Sequence, residues 1–228
     1  MKKKQSPPLK KIYVGRFSIL LISIILLFAL HPFLEGFVKI KILTDIFFSL
    51  ILLSAIYTVS EKRRTFLTGL VLAISYLIFI WSTYLVSVPS VRVLSQLFGA
   101  FFTGYILVFI LTFIARQQNV TVEVIKAAVC GYFFLGLMWS FIYLFMESYQ
   151  PGSFQIAQGG TGDQGIFIYF SFITMTTVGY GDTIPVSNAA RSLAVLEAVM
   201  GQLYLAVTIA RLVGIHISQG LQDRNGGV

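Results

Sequence analysis

The sequence predicts an all-α integral membrane protein: six transmembrane helices and one short re-entrant helix. Three observations lead there. Of the 228 residues, 57% are hydrophobic and only 11% charged, against about 45–50% and about 25% in a typical soluble domain. Mean hydropathy is +0.84. The apolar residues also fall into runs near the length of about 20 residues that crosses a bilayer. Too few polar side chains remain to coat a water-facing surface. That excludes a soluble globular enzyme, a disordered tail and a collagen-like chain. A membrane enzyme, a transporter and a channel stay open.

The elements follow in order. Residues 1–16 (MKKKQSPPLKKIYVGR) carry five lysines, Arg16 and the Pro7-Pro8 pair, and read as a basic, solvated tail. Residues 17–34 form the first apolar run. A basic start before an apolar core also suits a cleaved secretion signal. The core is long, however, and no small-x-small site follows it, so it reads as a retained span. The second run covers residues 37–59 and stops at SEKRRT. The third covers 66–88 and stops near Pro89. The fourth covers 94–114, the fifth 127–146 and the last 189–214. These boundaries divide the chain into the tail 1–16, a four-span domain 17–115, a linker 116–126, a second membrane domain 127–214 and a short tail 215–228.

Six spans place both termini on one side. Lys2, Lys3, Lys4, Lys10, Lys11, Arg16, Lys62, Arg63, Arg64, Arg116, Lys126, Arg211 and Arg224 share that side, thirteen against the four of Lys39, Lys41, Arg92 and Arg191. Basic loops stay in the cytoplasm, so both termini are expected there. The net charge of +8 then marks orientation and gives no reason to expect nucleic acid. Trp81 and Tyr84 fall at the outer end of the third span, where amphipathic rings favour the headgroups. The single cysteine, Cys130, forms neither an internal disulfide nor a metal cluster and reads as a small packing residue.

Between the fifth and last runs lies a segment of another kind, residues 147–186. It holds a Gly-rich loop (PGSFQIAQGGTGDQG), a short aromatic stretch and TTVGYGD. The apolar piece 166–176 is too short to cross a bilayer and reads as a re-entrant helix. A path for a dehydrated cation needs oxygen dipoles in place of its water. Backbone carbonyls supply them when successive residues aim them at one axis. Glycines at alternate positions, Gly179 and Gly181, open the backbone angles this requires. The Thr177 hydroxyl adds an oxygen below them. The short helix turns its negative C-terminal end the same way.

Here the sequence resembles the potassium-channel pore family, whose TVGYG filter stands at Thr177, Val178, Gly179, Tyr180 and Gly181. The resemblance covers about residues 127–217, and the whole chain looks like bacterial six-span channels built on that module. It implies K⁺ as the permeant ion and the only metal, no cofactor, a homotetramer, surrounding membrane lipid, a bacterial inner-membrane location and no enzymatic activity. Thr176 and Asp182 flank the filter as support. Gly201 matches the family's inner-helix hinge glycine, which places Gln202, Leu205 and Ile209 toward the cavity or inner gate. In the family, a pore-helix glutamate pairs with the aspartate after the filter; here Ile173 stands in its place. Tyr169 matches a family tryptophan that bonds that aspartate, so its hydroxyl is expected to reach Asp182.

Voltage-gated relatives carry a basic residue at every third position of the fourth span. Residues 94–114 hold no Lys or Arg, and Arg92 and Arg116 only flank them. Strong voltage gating by that route is not expected. The first four spans read as a packing collar or a regulatory domain. The linker spaces Val122, Ile125 and Val129 as a helix does, suiting an interfacial helix or a plain connector. The short final tail has no room for a nucleotide- or calcium-binding gating domain, so such control would come from a separate regulatory subunit.

Ionisable groups in apolar runs deserve individual reading. Asp45 stands four residues after Lys41, the spacing of a local helix pair. Glu197 lies one turn before Gly201. Two roles stand open for it: a negative field for cations, or a bond to a pore-helix hydroxyl such as Thr174 or Thr176. His216 suits a solvated position or a pH sensor, and His31 marks the end of the first span. The leading expectation is a K⁺-selective channel. The alternatives are a non-conducting regulatory subunit with a channel fold and a weakly selective cation channel.

Overall fold

The computed structural model describes residues 15–34, 40–59, 63–85, 88–157 and 163–225. Their elements run α1 (Arg16–Leu34), α2 (Ile40–Val59), α3 (Arg63–Ser82), α4 (Pro89–Arg116), α5 (Val122–Tyr149), β1 (Phe154–Ile156), α6 (Gln164–Met175), β2 (Thr183–Pro185) and α7 (Asn188–Asn225). The helical class is as expected. Among the described residues, four stretches are long and apolar enough to span a bilayer: Thr65–Ser82, Pro89–Arg116, Val122–Tyr149 and Asn188–Leu221. Arg16–Ala29 in α1 and Phe48–Thr58 in α2 are shorter apolar stretches. The basic tail and residues 158–162 of the Gly-rich loop lie outside the described residues, as do the side chains of His31 and Lys41.

Local chemistry sets the helix ends. α4 opens on Pro89, whose fixed φ suits a first turn and whose missing N–H costs nothing there. Arg92 therefore belongs to the first turn of α4 rather than flanking it. Extended backbone at Gln117 closes the helix. Thr121 caps α5, its hydroxyl accepting from Val124 N at 3.4 Å, with Glu123 in the first turn where the helix dipole favours a carboxylate. A separate linker helix over 116–126 is not what forms. Residues 117–121 are non-helical, and the helical spacing of Val122, Ile125 and Val129 belongs to α5 itself. The final tail also differs, because α7 stays helical to Asn225. Nothing between 214 and 225 breaks it, and neither Gly214 nor Gly220 carries a positive φ.

The core lies where α1, α4, α5 and α6 meet. Leu20, Ile24, Ile106, Ile110, Phe134, Leu137 and Phe167 are fully buried. Phe28 of α1 packs tilted against Phe133 of α5 at 5.3 Å and edge-on to Phe172 of α6 at 4.8 Å, tying the first helix to the re-entrant one. Cys130 is buried in this core as a packing residue, its thiol 3.8 Å from Phe17 O. Asp45 is buried at 6% exposure and accepts from the Tyr84 hydroxyl at 2.6 Å. Its bond reaches from α2 to the turn after α3, beyond the local spacing that the sequence displayed. The Tyr84 ring also lies 5.7 Å from Trp81.

α6 has 12 residues, about 18 Å of helix against a hydrocarbon core of about 30 Å. It is re-entrant in length, as expected. A two-stranded antiparallel ribbon flanks it, pairing Gln155 with Ile184 and Ile156 with Thr183. Nothing in the residue pattern anticipates that ribbon. α7 packs on the chain through one side only: Ala190, Glu197 and Gly201 are buried, while Val195, Leu203 and Val207 are more than half exposed.

Candidate functional site

The site begins with α6. Asp163 caps it, Oδ1 accepting from Ile166 N at 3.0 Å, and Phe167, Phe170, Ser171 and Met175 are buried on its inner side. Its last turn feeds directly into residues 176–182, all of which are exposed. Thr176 Oγ1 donates back to Phe172 O at 2.5 Å. Then the backbone alternates. Thr177, Gly179 and Gly181 have φ of 62°, 52° and 80°, while Val178 and Tyr180 between them do not cross into the positive region. For the glycines this costs little. For Thr177, a β-branched residue, it is a strained conformation of the kind found at functional sites.

That strain is held by hydrogen bonds. Thr177 N donates to Thr174 O at 3.0 Å, and Val178 N and Gly179 N both donate to Ile173 O at 2.9 and 3.1 Å. The inner half of the loop thus turns its N–H groups back onto α6. Among the described residues, no hydrogen bond is accepted by the carbonyl oxygens of Thr177, Val178, Gly179, Tyr180 or Gly181. An exposed run of uncommitted carbonyls with alternating backbone handedness can surround a cation stripped of water.

The outer end is clamped. Tyr169 Oη donates to Asp182 Oδ2 at 2.7 Å, and Asp182 Oδ1 accepts from Thr183 N at 2.9 Å. Asp182 O accepts from Ala157 N at 2.7 Å. The β1–β2 ribbon therefore continues straight into the loop's last residue. Glu147 supports the ribbon from α5, accepting from Gly152 N and Phe154 N at 2.8 and 3.1 Å. Ile173, where the resemblance implies a carboxylate, has a side chain buried at 8% exposure; its backbone carbonyl is what holds the loop.

α7 meets the lower end of α6. Gly201 is buried there, and a Cβ would overlap the Met175 side chain and stand 3.0 Å from Met175 O. The close approach of two helices accounts for a glycine at this point, and α7 runs through it as unbroken helix. Gln202 Nε2 donates to Met175 O at 3.2 Å, so its amide is committed to the end of α6. Leu205 and Ile209 are exposed in the single chain at 36% and 57%, and His216 is exposed as well.

Glu197 takes the second of the two roles open to it, a bond to a hydroxyl of the re-entrant helix, though with a different residue from the two expected. It is fully buried, so it presents no carboxyl to a cavity. Its partners are Tyr143 of α5 and Ser171 of α6, each at 2.5 Å, in place of Thr174 or Thr176. The reason is register: Ser171 stands on the side of α6 that faces α5 and α7. The sequence concealed these two partners, because a lone Ser or Tyr in an apolar run looks like any tolerated polar residue. Arg211 was likewise legible only as a cytoplasmic charge. Its guanidinium donates to Ile114 O at 3.4 Å, to Gln117 O at 3.5 Å and to Ala115 O.

A match to a known family falls on the same part of the chain. Residues 120–216 match a family described as ion channel. A stretch of 62 residues is 42% identical to the inward rectifier potassium channel Kirbac3.1 of Paramagnetospirillum magnetotacticum, covering 27% of this chain and 18% of that relative. The match thus spans under a fifth of the relative's length.

Proposed function

We propose that the protein is a K⁺-selective channel passing the ion down its gradient, a reading supported by the match of residues 120–216 to the ion-channel family and by the similarity to a bacterial potassium channel. The observation that carries this reading is the loop Thr177–Gly181, whose backbone handedness alternates and whose carbonyls accept no hydrogen bond among the described residues. One loop supplies a quarter of a ring, since four loops build such a filter. The pore is therefore a homotetramer. The exposed apolar side chains of α7 meet neighbouring copies and lipid.

In this reading α1 to α5 and α7 are the six spans, with both termini in the cytoplasm of a bacterial inner membrane. K⁺ at the carbonyls of Thr177, Val178, Gly179, Tyr180 and Gly181 is the only metal, and no cofactor takes part. Thr176, Asp182 and Tyr169 support the filter. Gln202, Leu205 and Ile209 border the cavity, with Gly201 the packing point about which the inner helix turns. α4 carries no basic residue between Arg92 and Arg116, so voltage does not act on it through buried charge. The helices before residue 116 are a collar or a regulatory domain.

Purified protein in liposomes tests the reading through flux under K⁺ and under Na⁺ gradients. K⁺ flux that greatly exceeds Na⁺ flux is expected. Equal fluxes favour a weakly selective cation channel. No flux of either ion under varied pH, voltage and tension favours a non-conducting subunit.

A further inference from the structure

α6 and α7 touch in two steps of matched spacing. Ser171 meets Glu197, and Met175 meets Gly201. Each pair lies four residues from the next on both helices, one turn along one face. Ile173 lies between Ser171 and Met175, and its carbonyl oxygen receives the N–H groups of Val178 and Gly179. Whatever fixes α6 at 171 and 175 therefore fixes the acceptor under the loop.

At the upper step three helices share one carboxyl. Tyr143 Oη is 2.5 Å from Glu197 Oε2, and Ser171 Oγ is 2.5 Å from Oε1. Ser171 Oγ is also 2.8 Å from Gly136 O of α5. All four groups are away from solvent or nearly so: Ser171, Tyr143 and Glu197 are each fully buried. A serine has one hydroxyl proton, and here it has two oxygen neighbours to satisfy. The set closes completely when residue 197 offers a donor to Ser171 as well as an acceptor to Tyr143. A carboxylic acid does this, and so does the carboxamide of glutamine in nearly the same shape. Leucine does neither.

We infer that Glu197 is a positioning residue of the filter. By tying α6 to α5 and α7 it sets where Ile173 O stands beneath Val178 and Gly179. The rear support that a pore-helix carboxylate would give at position 173 comes here from the inner helix of the same chain. The inference rests on reading Thr177–Gly181 as a filter, but its first readout does not require ion flow.

The test uses the full chain in lipid, with Glu197→Gln, Glu197→Leu and Tyr143→Phe, and Tyr143→Phe combined with Glu197→Leu. Amide hydrogen exchange is followed at Val178 and Gly179, with α3 as the internal control, and K⁺ flux is measured alongside. Glu197→Leu is expected to speed exchange at the two amides about tenfold, the scale of a buried hydroxyl losing its partner. Glu197→Gln is expected to restore both exchange and flux close to the parent. Tyr143→Phe is expected to fall between, with no added effect in the Glu197→Leu background. If Glu197→Gln behaves as Glu197→Leu does, the charge matters rather than the bonded set, and the inference fails. Unchanged exchange in Glu197→Leu also overturns it. Should that variant not assemble, unchanged exchange in Tyr143→Phe overturns it instead. Equal K⁺ and Na⁺ flux in the parent chain would count against the K⁺-selective reading, and leave the exchange result to stand or fall by itself.

Discussion

Thr177 is a β-branched residue with φ of 62°, in a region that costs a non-glycine residue about 1–2 kcal/mol. Its flanking bonds hold it there, and Gly179 and Gly181 repeat the handedness two and four residues on. Replacing Gly179 with alanine adds a Cβ to a left-handed position with open space around it. The penalty is thus conformational, and K⁺ flux is expected to fall by at least tenfold while assembly on a gel filtration column is unchanged. Normal flux would show that the handedness is incidental. At the outer end, Tyr169→Phe removes the bond to Asp182 and leaves the ribbon contacts of that residue in place. Barium is expected to leave the pore several-fold faster with the fold intact; unchanged barium exit and unchanged flux would remove Tyr169 from the clamp. The resemblance to the pore family made this bond legible, because Tyr169 matches a family tryptophan that bonds the aspartate after the filter. The sequence hid the bonds of Glu197, because Tyr143, Ser171 and Glu197 come from three helices and only packing decides which faces meet.

Helix ends and helix contacts carry the next set of consequences. Gly201 is required by its distance from α6, whatever bending α7 undergoes. Gly201→Ala must push against Met175 and its carbonyl, an overpacking cost of about 1–3 kcal/mol. A lower melting temperature of the purified protein is expected, with partial recovery when Met175→Ala is added. A hinge role alone predicts no such recovery. Arg211 reaches the carbonyls at the end of α4, where a cation both bonds orphan acceptors and complements the helix dipole. Gln219 adds a second tie, accepting from Val120 N at 3.1 Å. Arg211→Gln is expected to raise amide exchange across residues 114–121 and leave α6 unaffected. Exchange unchanged at both places would show the contact to be passive. Long apolar runs make α3, α4, α5 and α7 legible in the sequence. Their ends were less legible: the expected linker merged into α5 because Thr121 caps it, and α7 outran its apolar run because no proline interrupts residues 215–225 and Gln219, Leu221, Gln222 and Arg224 are good helix formers.

The whole molecule joins a well-packed core around α5 and α6 to an inner helix covered on one side only. Composition alone points to a membrane protein, and one nine-residue motif points to the candidate site within it. The number of copies around the pore was implied by resemblance, since no single chain displays its own symmetry. The β1–β2 ribbon went unforeseen because three-residue strands leave almost no periodic trace. Its role is visible only in space, where it anchors Asp182. The central claim is that the loop Thr177–Gly181 selects K⁺. The most direct measurement is the reversal potential of the purified protein in a planar bilayer, with K⁺ on one side and Na⁺ on the other. A large displacement toward the K⁺ equilibrium potential is predicted, and a reversal near zero would contradict the account.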